Sequence, residues 1–191
     1  MKYPNLYKAF NRHIDLPIDV YLDLEGRLIH KKLGKKEFLF REGEVVKYLP
    51  FINDGLMINY IVEEDGEEHV IQIRGTGLWL GDLYSFFSDV RTRFNIQTYQ
   101  PTELLMINHE TFDYITKNHP VYEKFFRLNI QEAYVQTLNR IYNLHSATAE
   151  ERYLELIKNI PDLLDKIPHY LIASYLNIKP QSLSRIRKNL K

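Results

Sequence analysis

Cysteine is absent from the 191 residues. That excludes disulfides, thiolate zinc sites and a cysteine-held iron–sulfur cluster. Long uncharged apolar runs are absent too, so no segment reads as a membrane span. The opening stretch, MKYPNLYKAFNRHID, carries charge throughout and lacks the apolar core of a secretion signal. A cytoplasmic chain without membrane contact is the expectation. Net charge is also missing, with 25 basic against 25 acidic side chains. Internal repeats and low-complexity segments are not found. The remaining composition, 45% hydrophobic and 26% charged, is that of an ordinary globular chain of one large or two small domains.

The zero balance hides an uneven distribution. Residues 166–191 hold Lys166, Lys179, Arg185, Arg187, Lys188 and Lys191, and no Asp or Glu. All the acidic residues therefore lie on the body before them. A basic end on an acidic body points to an anionic partner, nucleic acid before others; a solvated basic helix is the alternative on charge alone.

Hydrophobic spacing divides the chain further. Residues 3–25 read as one or two short helices punctuated by Pro17. From Leu28 onward, short apolar runs alternate with Gly, Asn and Asp turns, the signature of a β-sandwich or barrel. The runs are Leu28–Leu33, Phe38–Phe40, Tyr48–Ile52, Leu56–Val62, His69–Arg74, Phe94–Tyr99 and Glu103–Ile107. Glu42-Gly43-Glu44, Asn53-Asp54-Gly55 and Glu64-Asp65-Gly66 separate them, and Asp-Gly pairs suit tight hairpins. Alternation along Leu56–Val62 is imperfect, which predicts that both faces of that strand are partly covered.

Beyond Asn108 the pattern becomes helical. Asn108 is a candidate cap for a short helix to about Lys117, and Pro120 suits the first turn of a long helix, Val121 to His145. There Phe126, Ile130, Tyr134, Leu138 and Ile141 recur at spacings of three and four, with Phe125, Ala133, Thr137 and Leu144 widening the stripe. So wide a stripe predicts burial against two surfaces, the β-domain and a twofold-related copy of the same helix. Thr148-Ala-Glu-Glu151 has capping-box spacing, which starts a new helix after a hinge at Ser146–Ala149. Tyr153, Leu154, Ile157 and Ile160 give its buried side, and Pro161 ends it.

The C-terminal stretch from Pro168 to Leu190 reads as two short helices crossing at a tight corner. Leu171, Ile172, Tyr175 and Leu176 form one apolar side, Ala173 permits close crossing, Asn177 tolerates the left-handed turn and Ile178 fills the corner. Pro180 opens the second helix. Leu183, Ile186 and Leu190 point inward, leaving Gln181, Ser182, Arg185 and Lys188 or Asn189 on an acid-free outer face, as a major groove requires. Arg185 has the fork for guanine O6/N7 and Gln181 the amide for adenine N6/N7, while Ser182 reaches base or phosphate. Lys179, Arg187, Lys188 and Lys191 suit phosphate contacts, which position without specifying.

Other chemistry finds less support. The seven histidines include no His-x-His or His-x₃-His pair, and no Ser/His/Asp arrangement or phosphate-binding Gly-rich loop occurs. A cupin-like metalloenzyme with a helical tail, and a protein-interaction module without DNA binding, stand as alternatives. Arg27, Lys31, Lys32, Lys35 and Lys36 read as solvated strand edges; Trp79 and the tyrosines read as core filler.

Over roughly residues 20–191 the sequence resembles the catabolite-activator / fumarate–nitrate-regulator (CRP/FNR) family. The resemblance rests on Phe38-Leu-Phe-Arg-Glu-Gly-Glu44, Phe51-Ile-Asn-Asp-Gly55, Glu64-Asp-Gly-Glu67, Leu80-Gly-Asp-Leu83, Ile172-Ala-Ser-Tyr-Leu176 and Ser182-Leu-Ser-Arg-Ile-Arg187. It implies an α+β protein. Residues 1–119 would hold the N-terminal helices and a jelly-roll-like, cyclic-nucleotide-binding-like double-stranded β-helix. Residues 120–145 would form a dimerisation helix, using Phe126, Ile130, Tyr134, Thr137, Leu138 and Ile141, and 146–191 a helix-turn-helix domain. The implied function is sequence-specific transcription regulation by a homodimer, not an enzyme, with double-stranded DNA, a small-molecule effector and RNA polymerase as partners.

The family's ligand cassette is altered here. Gly81 matches its glycine, but Asp82 replaces its glutamate and is one methylene shorter. Its arginine–serine pair falls on Thr92 and Arg93, so the arginine is absent or shifted by one. The loop Leu83–Arg91 is aromatic where small residues are expected. Gly81, Asp82, Leu83, Thr92 and Arg93 are the ligand-contact candidates. No cofactor is expected, with a cyclic nucleotide as the alternative. The sequence stops at Lys191, leaving no room for a β-hairpin wing, so backbone contacts from a wing are not expected.

Overall fold

The computed structural model describes residues 1–159 and 166–190. Two short helices, α1 (Pro4–Phe10) and α2 (Ile18–Glu25), precede strands β1 (Ile29–Leu33), β2 (Phe38–Phe40), β3 (Tyr48–Asp54), β4 (Leu56–Val62) and β5 (Glu68–Gly75). Helix α3 (Leu83–Ser88) separates these from β6 (Asn95–Thr98) and β7 (Thr102–Asn108), and α4 (His109–Asn118) and α5 (Pro120–Ser146) follow. The C-terminal part comprises α6 (Ala149–Asn159), α7 (His169–Tyr175) and α8 (Pro180–Asn189).

The strands form two antiparallel sheets, ordered β1-β7-β3 and β2-β6-β4-β5. One buried cluster gathers Leu39, Phe51, Ile52, Met57, Ile96, Leu104 and Ile107 of the strands with Phe10, Tyr21, Tyr122 and Phe125 of α1, α2 and the base of α5; Ile52 and Leu104 share one face of their sheet, and Phe51 and Ile107 the other. Trp79 joins this core edge-on to Phe10 and Phe51. The expected strand runs all form. Glu64-Asp65-Gly66 makes the β4–β5 hairpin, with Gly66 at φ 86°.

Asn53-Asp54-Gly55 behaves otherwise. The strands on either side of it do not pair; the chain passes there from one sheet to the other. Gly55 adopts φ 122°, and a Cβ on it would lie 2.7 Å from the backbone Cα of Thr102. Glycine is therefore required by both dihedral and space. The sequence reading of a hairpin is corrected to a sheet-crossing corner.

Both faces of β4 are covered, as its broken alternation suggests. Met57 faces the roll interior, whereas Leu56, Ile58 and Tyr60 join Val70 and Ile73 in a second core. The other half of this core is Tyr153, Leu156, Ile167, Leu171, Ile172, Ala173, Leu176 and Leu183. The C-terminal helices thus complete their core on the outer face of the roll. Each of the larger side chains buried there contributes about 1.5–3 kcal/mol.

Several helix ends follow their signals. The Asn108 side chain accepts from Thr111 N at 2.9 Å. Thr148 and Glu151 form a reciprocal capping box: Glu151 N donates to Thr148 Oγ1 (3.2 Å) and Thr148 N donates to Glu151 Oε2 (2.7 Å). On α6 the buried side is Tyr153 and Leu156, with Ile157 half-buried; Leu154, expected inward, is exposed. Ile160, Pro161 and Lys191 lie outside the described residues. Arg27 is not a free strand-edge cation, since it pairs with Asp23 at 3.0 Å and lies over the Tyr114 ring.

Candidate nucleic-acid interface

Helices α7 and α8 meet at the predicted corner. Asn177 takes φ 53°, the left-handed conformation, and Ile178 N closes the turn on Ala173 O at 3.0 Å. Pro180 occupies the first turn of α8. Ala173 and Leu183 are fully buried where the helices cross, and Ile186 packs beside them. Leu190, read as inward, is 42% exposed, so the apolar side of α8 ends at Ile186.

The opposite side of α8 presents Gln181, Arg185 and Lys188 to solvent, with Lys179 exposed at its N-cap and Ser182 half-buried. Among the described residues none of Lys179, Arg185, Arg187 or Lys188 enters an ion pair. Arg187 differs from the others. It is half-buried and its guanidinium donates to His169 Nε2 on α7. It braces the two helices rather than standing free for a phosphate.

Near the start of α5, Phe126 is half-buried and packs edge-on to Trp79 (5.8 Å between centroids) and tilted against Phe112 (5.0 Å). Phe125 is buried in the roll core. Both residues of the expected stripe are therefore anchored on their own domain. Farther along, Ile130, Tyr134, Leu138 and Ile141 are 40–63% exposed, and Thr137 is exposed beside them.

The altered cassette is closed upon itself. Asp82 is 8% exposed and both its carboxylate oxygens are engaged: Ser85 N donates to Oδ1 (3.1 Å), capping α3, and the Thr92 hydroxyl donates to Oδ2 (2.8 Å). Thr92, 2% exposed, also receives Phe94 N on its hydroxyl and exchanges backbone bonds with Gly43 and Glu44. Ser85 Oγ accepts from Val46 N. Gly81 lies outside the left-handed region, and a Cβ there would meet Pro50 at an ordinary 3.5 Å. Leu83 and Arg93 point to solvent, as do Tyr84, Phe87 and Val90. The five candidate ligand residues thus do not converge on one space: two are bonded to each other inside, and two face outward.

The sequence reading missed the junction between roll and C-terminal helices. Arg140 of α5 donates to three backbone carbonyls, Ile71 O and Val70 O on β5 and Tyr175 O on α7 (3.0 Å), and lies 4.2 Å from the Tyr175 ring centroid. Burial holds its guanidinium below the ordinary arginine value, as it does that of neighbouring Arg74. Ser174 of α7 fills a rung on the open edge of β5, accepting from Val70 N and donating to Glu68 O, both at 2.9 Å. Tyr99 at the end of β6 has its phenol pushed up to about 12, by burial first and then by its hydrogen bond to Tyr170 of α7. A lone charge on a helix has no sequence signature that distinguishes such a clamp from a solvated residue.

Most histidines sit beside carboxylates: His30 with Glu103 (2.6 Å), His119 with Asp23 (2.9 Å), His13 with Glu132 (3.3 Å) and His69 with Glu63 (3.4 Å). His109 instead stacks on Phe86 at 3.9 Å. Among the described residues no three His, Asp or Glu side chains gather as a metal site, and no helix is long and apolar enough to cross a membrane.

Residues 30–119 match the family model of the cyclic nucleotide-binding domain. Over 85–93% of its length the chain is similar in fold to three further proteins of solved structure. One is the c-di-GMP responsive global regulator CLP of Xanthomonas campestris, 14% identical, covering 91% of each chain with a TM-score of 0.73. FixK2 of Bradyrhizobium japonicum is 16% identical over 85% of this chain and 84% of its own, with a TM-score of 0.73. The catabolite activator protein of Thermus thermophilus is 19% identical over 93% and 84%, with a TM-score of 0.58. No curated protein matches at the level of sequence. The chain therefore carries a cyclic-nucleotide-binding-type roll joined to a long helix and C-terminal helices. The same fold is shared with these solved proteins over most of the chain, as the resemblance in the sequence implies.

Proposed function

We propose that the protein is a sequence-specific DNA-binding transcription regulator, not an enzyme, and that it acts as a homodimer. The observation that supports this most is the solvent-facing side of α8, a helix that carries no acidic residue, where Gln181, Arg185 and Lys188 are exposed and Leu183 is buried beneath. Arg185 and Gln181 read bases; Lys179 and Lys188 contact phosphates; Ser182 reaches either. The apolar side chains Ile130, Tyr134, Leu138 and Ile141, with Thr137, are left uncovered in one chain. A second copy of α5 is the partner that buries them, giving two recognition helices related by a twofold axis.

Cyclic nucleotides are not the effector on this reading, because Asp82 and Thr92, at the positions of the family's glutamate and arginine–serine pair, are bonded to each other. Selection of bound sequences from random double-stranded DNA tests the function. A near-palindrome is expected, with half-sites about one helical turn, roughly 34 Å, apart. Recovery of no enriched sequence, with binding indifferent to salt, would overturn it.

A further inference from the structure

In a ligand-driven regulator the recognition helices move because an effector favours one orientation over another. Two independent features of this chain oppose such movement. At the cassette, the polar groups are already bonded to one another. At the junction, the C-terminal helices have no separate core: Leu171, Ile172, Ala173, Leu176 and Leu183 pack in one cluster with Leu56, Ile58, Tyr60, Val70 and Ile73 of the roll.

Polar bonds fix the position of that contact as well as its closeness. Ser174 occupies a donor–acceptor pair on the edge of β5, so α7 cannot slide along the strand without breaking both bonds. Arg140 ties α5, β5 and α7 through one guanidinium. Withdrawing α7 would strand buried backbone carbonyls or the cation itself. The docked face lies on α7, while Gln181, Arg185 and Lys188 of α8 stay exposed. Docking therefore leaves the reading surface open.

We propose that this docked arrangement is itself the DNA-binding state, and that the roll acts as a fixed brace for the recognition helix, with Arg140 as its positioning residue. The inference rests on the DNA-binding reading above. It makes the orientation of α8 independent of a small-molecule effector.

The absence of cysteine makes the test direct. Spin labels at Lys31→Cys on the roll and Lys158→Cys on α6, both exposed positions, report the distance between roll and C-terminal helices within one chain when labelled protein is diluted into unlabelled. Free and operator-bound protein are expected to give the same distance. A shift on DNA comparable to a helix diameter, about 10 Å, would overturn the brace. If no DNA complex forms, the DNA-binding reading itself has failed, and the two failures are told apart in the same tube. Arg140→Ala is expected to broaden the distance distribution and weaken operator binding on the order of tenfold, with the roll's strand signal retained. An unchanged distance and affinity in this variant would remove Arg140 from the role. Should it fail to fold, the comparison of free and bound wild type still decides.

Discussion

The loop around Asp82 and the outer side of α8 invite comparison, because each offers a few polar side chains that the sequence marks as candidate contact residues. Their fates differ. In the loop, Asp82, Ser85 and Thr92 are buried and each bonds another part of the same loop region. On α8, Gln181, Arg185 and Lys188 are exposed and free of ion pairs among the described residues. Residue type alone does not distinguish the two regions. What separates them is whether the hydrogen-bonding capacity is already engaged within the chain. A buried carboxylate with both oxygens satisfied stabilises its own loop, and a ligand would have to break those bonds before forming its own.

The largest effect expected is on the support beneath the α8 surface. Leu183→Ala, at a position with no exposure, should destabilise the C-terminal core by about 2–5 kcal/mol. Thermal unfolding and operator binding would both report it; an unchanged midpoint would mean that α8 is not anchored as described. Next comes the loop. Asp82→Ala removes an N-cap and leaves the Thr92 hydroxyl without its acceptor, at a cost of about 1–2 kcal/mol to the roll. Operator affinity, measured where the variant remains folded, should hold. A collapse of DNA binding in this folded variant would mean that the loop still communicates with α8.

A smaller effect is expected from Lys188→Ala, which should weaken binding to all DNA sequences alike and reduce the salt slope by about 1. In the alkaline range the junction should loosen. The raised Tyr99 phenol contributes stability that is fully present below the ordinary tyrosine value of 10.0 and is lost as pH climbs through about 12. Ultraviolet titration of wild type against Tyr99→Phe would show one late-titrating phenol disappear. The smallest effect is none at all: millimolar cyclic AMP or cyclic GMP should leave the melting temperature unmoved, whereas a tight ligand would raise it.

The strands were legible because turn residues, Asp-Gly and Glu-Gly pairs among them, separate short apolar-rich runs, and several helix starts were legible because caps such as Asn108 and Thr148–Glu151 act locally. Gly55 shows where such signals stop. An Asp-Gly pair accommodates positive φ equally well in a hairpin and in a corner between sheets, and only the distant approach of Thr102 decides. The outer face of α8 was legible from its period and charge. The bond between Asp82 and Thr92 was not, since it depends on how the loop closes. Arg140 was read past for a similar reason: its partners are backbone carbonyls of β5 and α7, which no side-chain pattern advertises.

The sharpest trial of the account is the affinity of wild type and Arg185→Ala for the selected operator and for unrelated DNA across a range of salt. Arg185→Ala should lose about 1–3 kcal/mol on the operator, concentrated at one guanine, and much less on unrelated DNA. Equal operator affinity in the two proteins, at every salt concentration, would contradict the assignment of α8 as the reading helix.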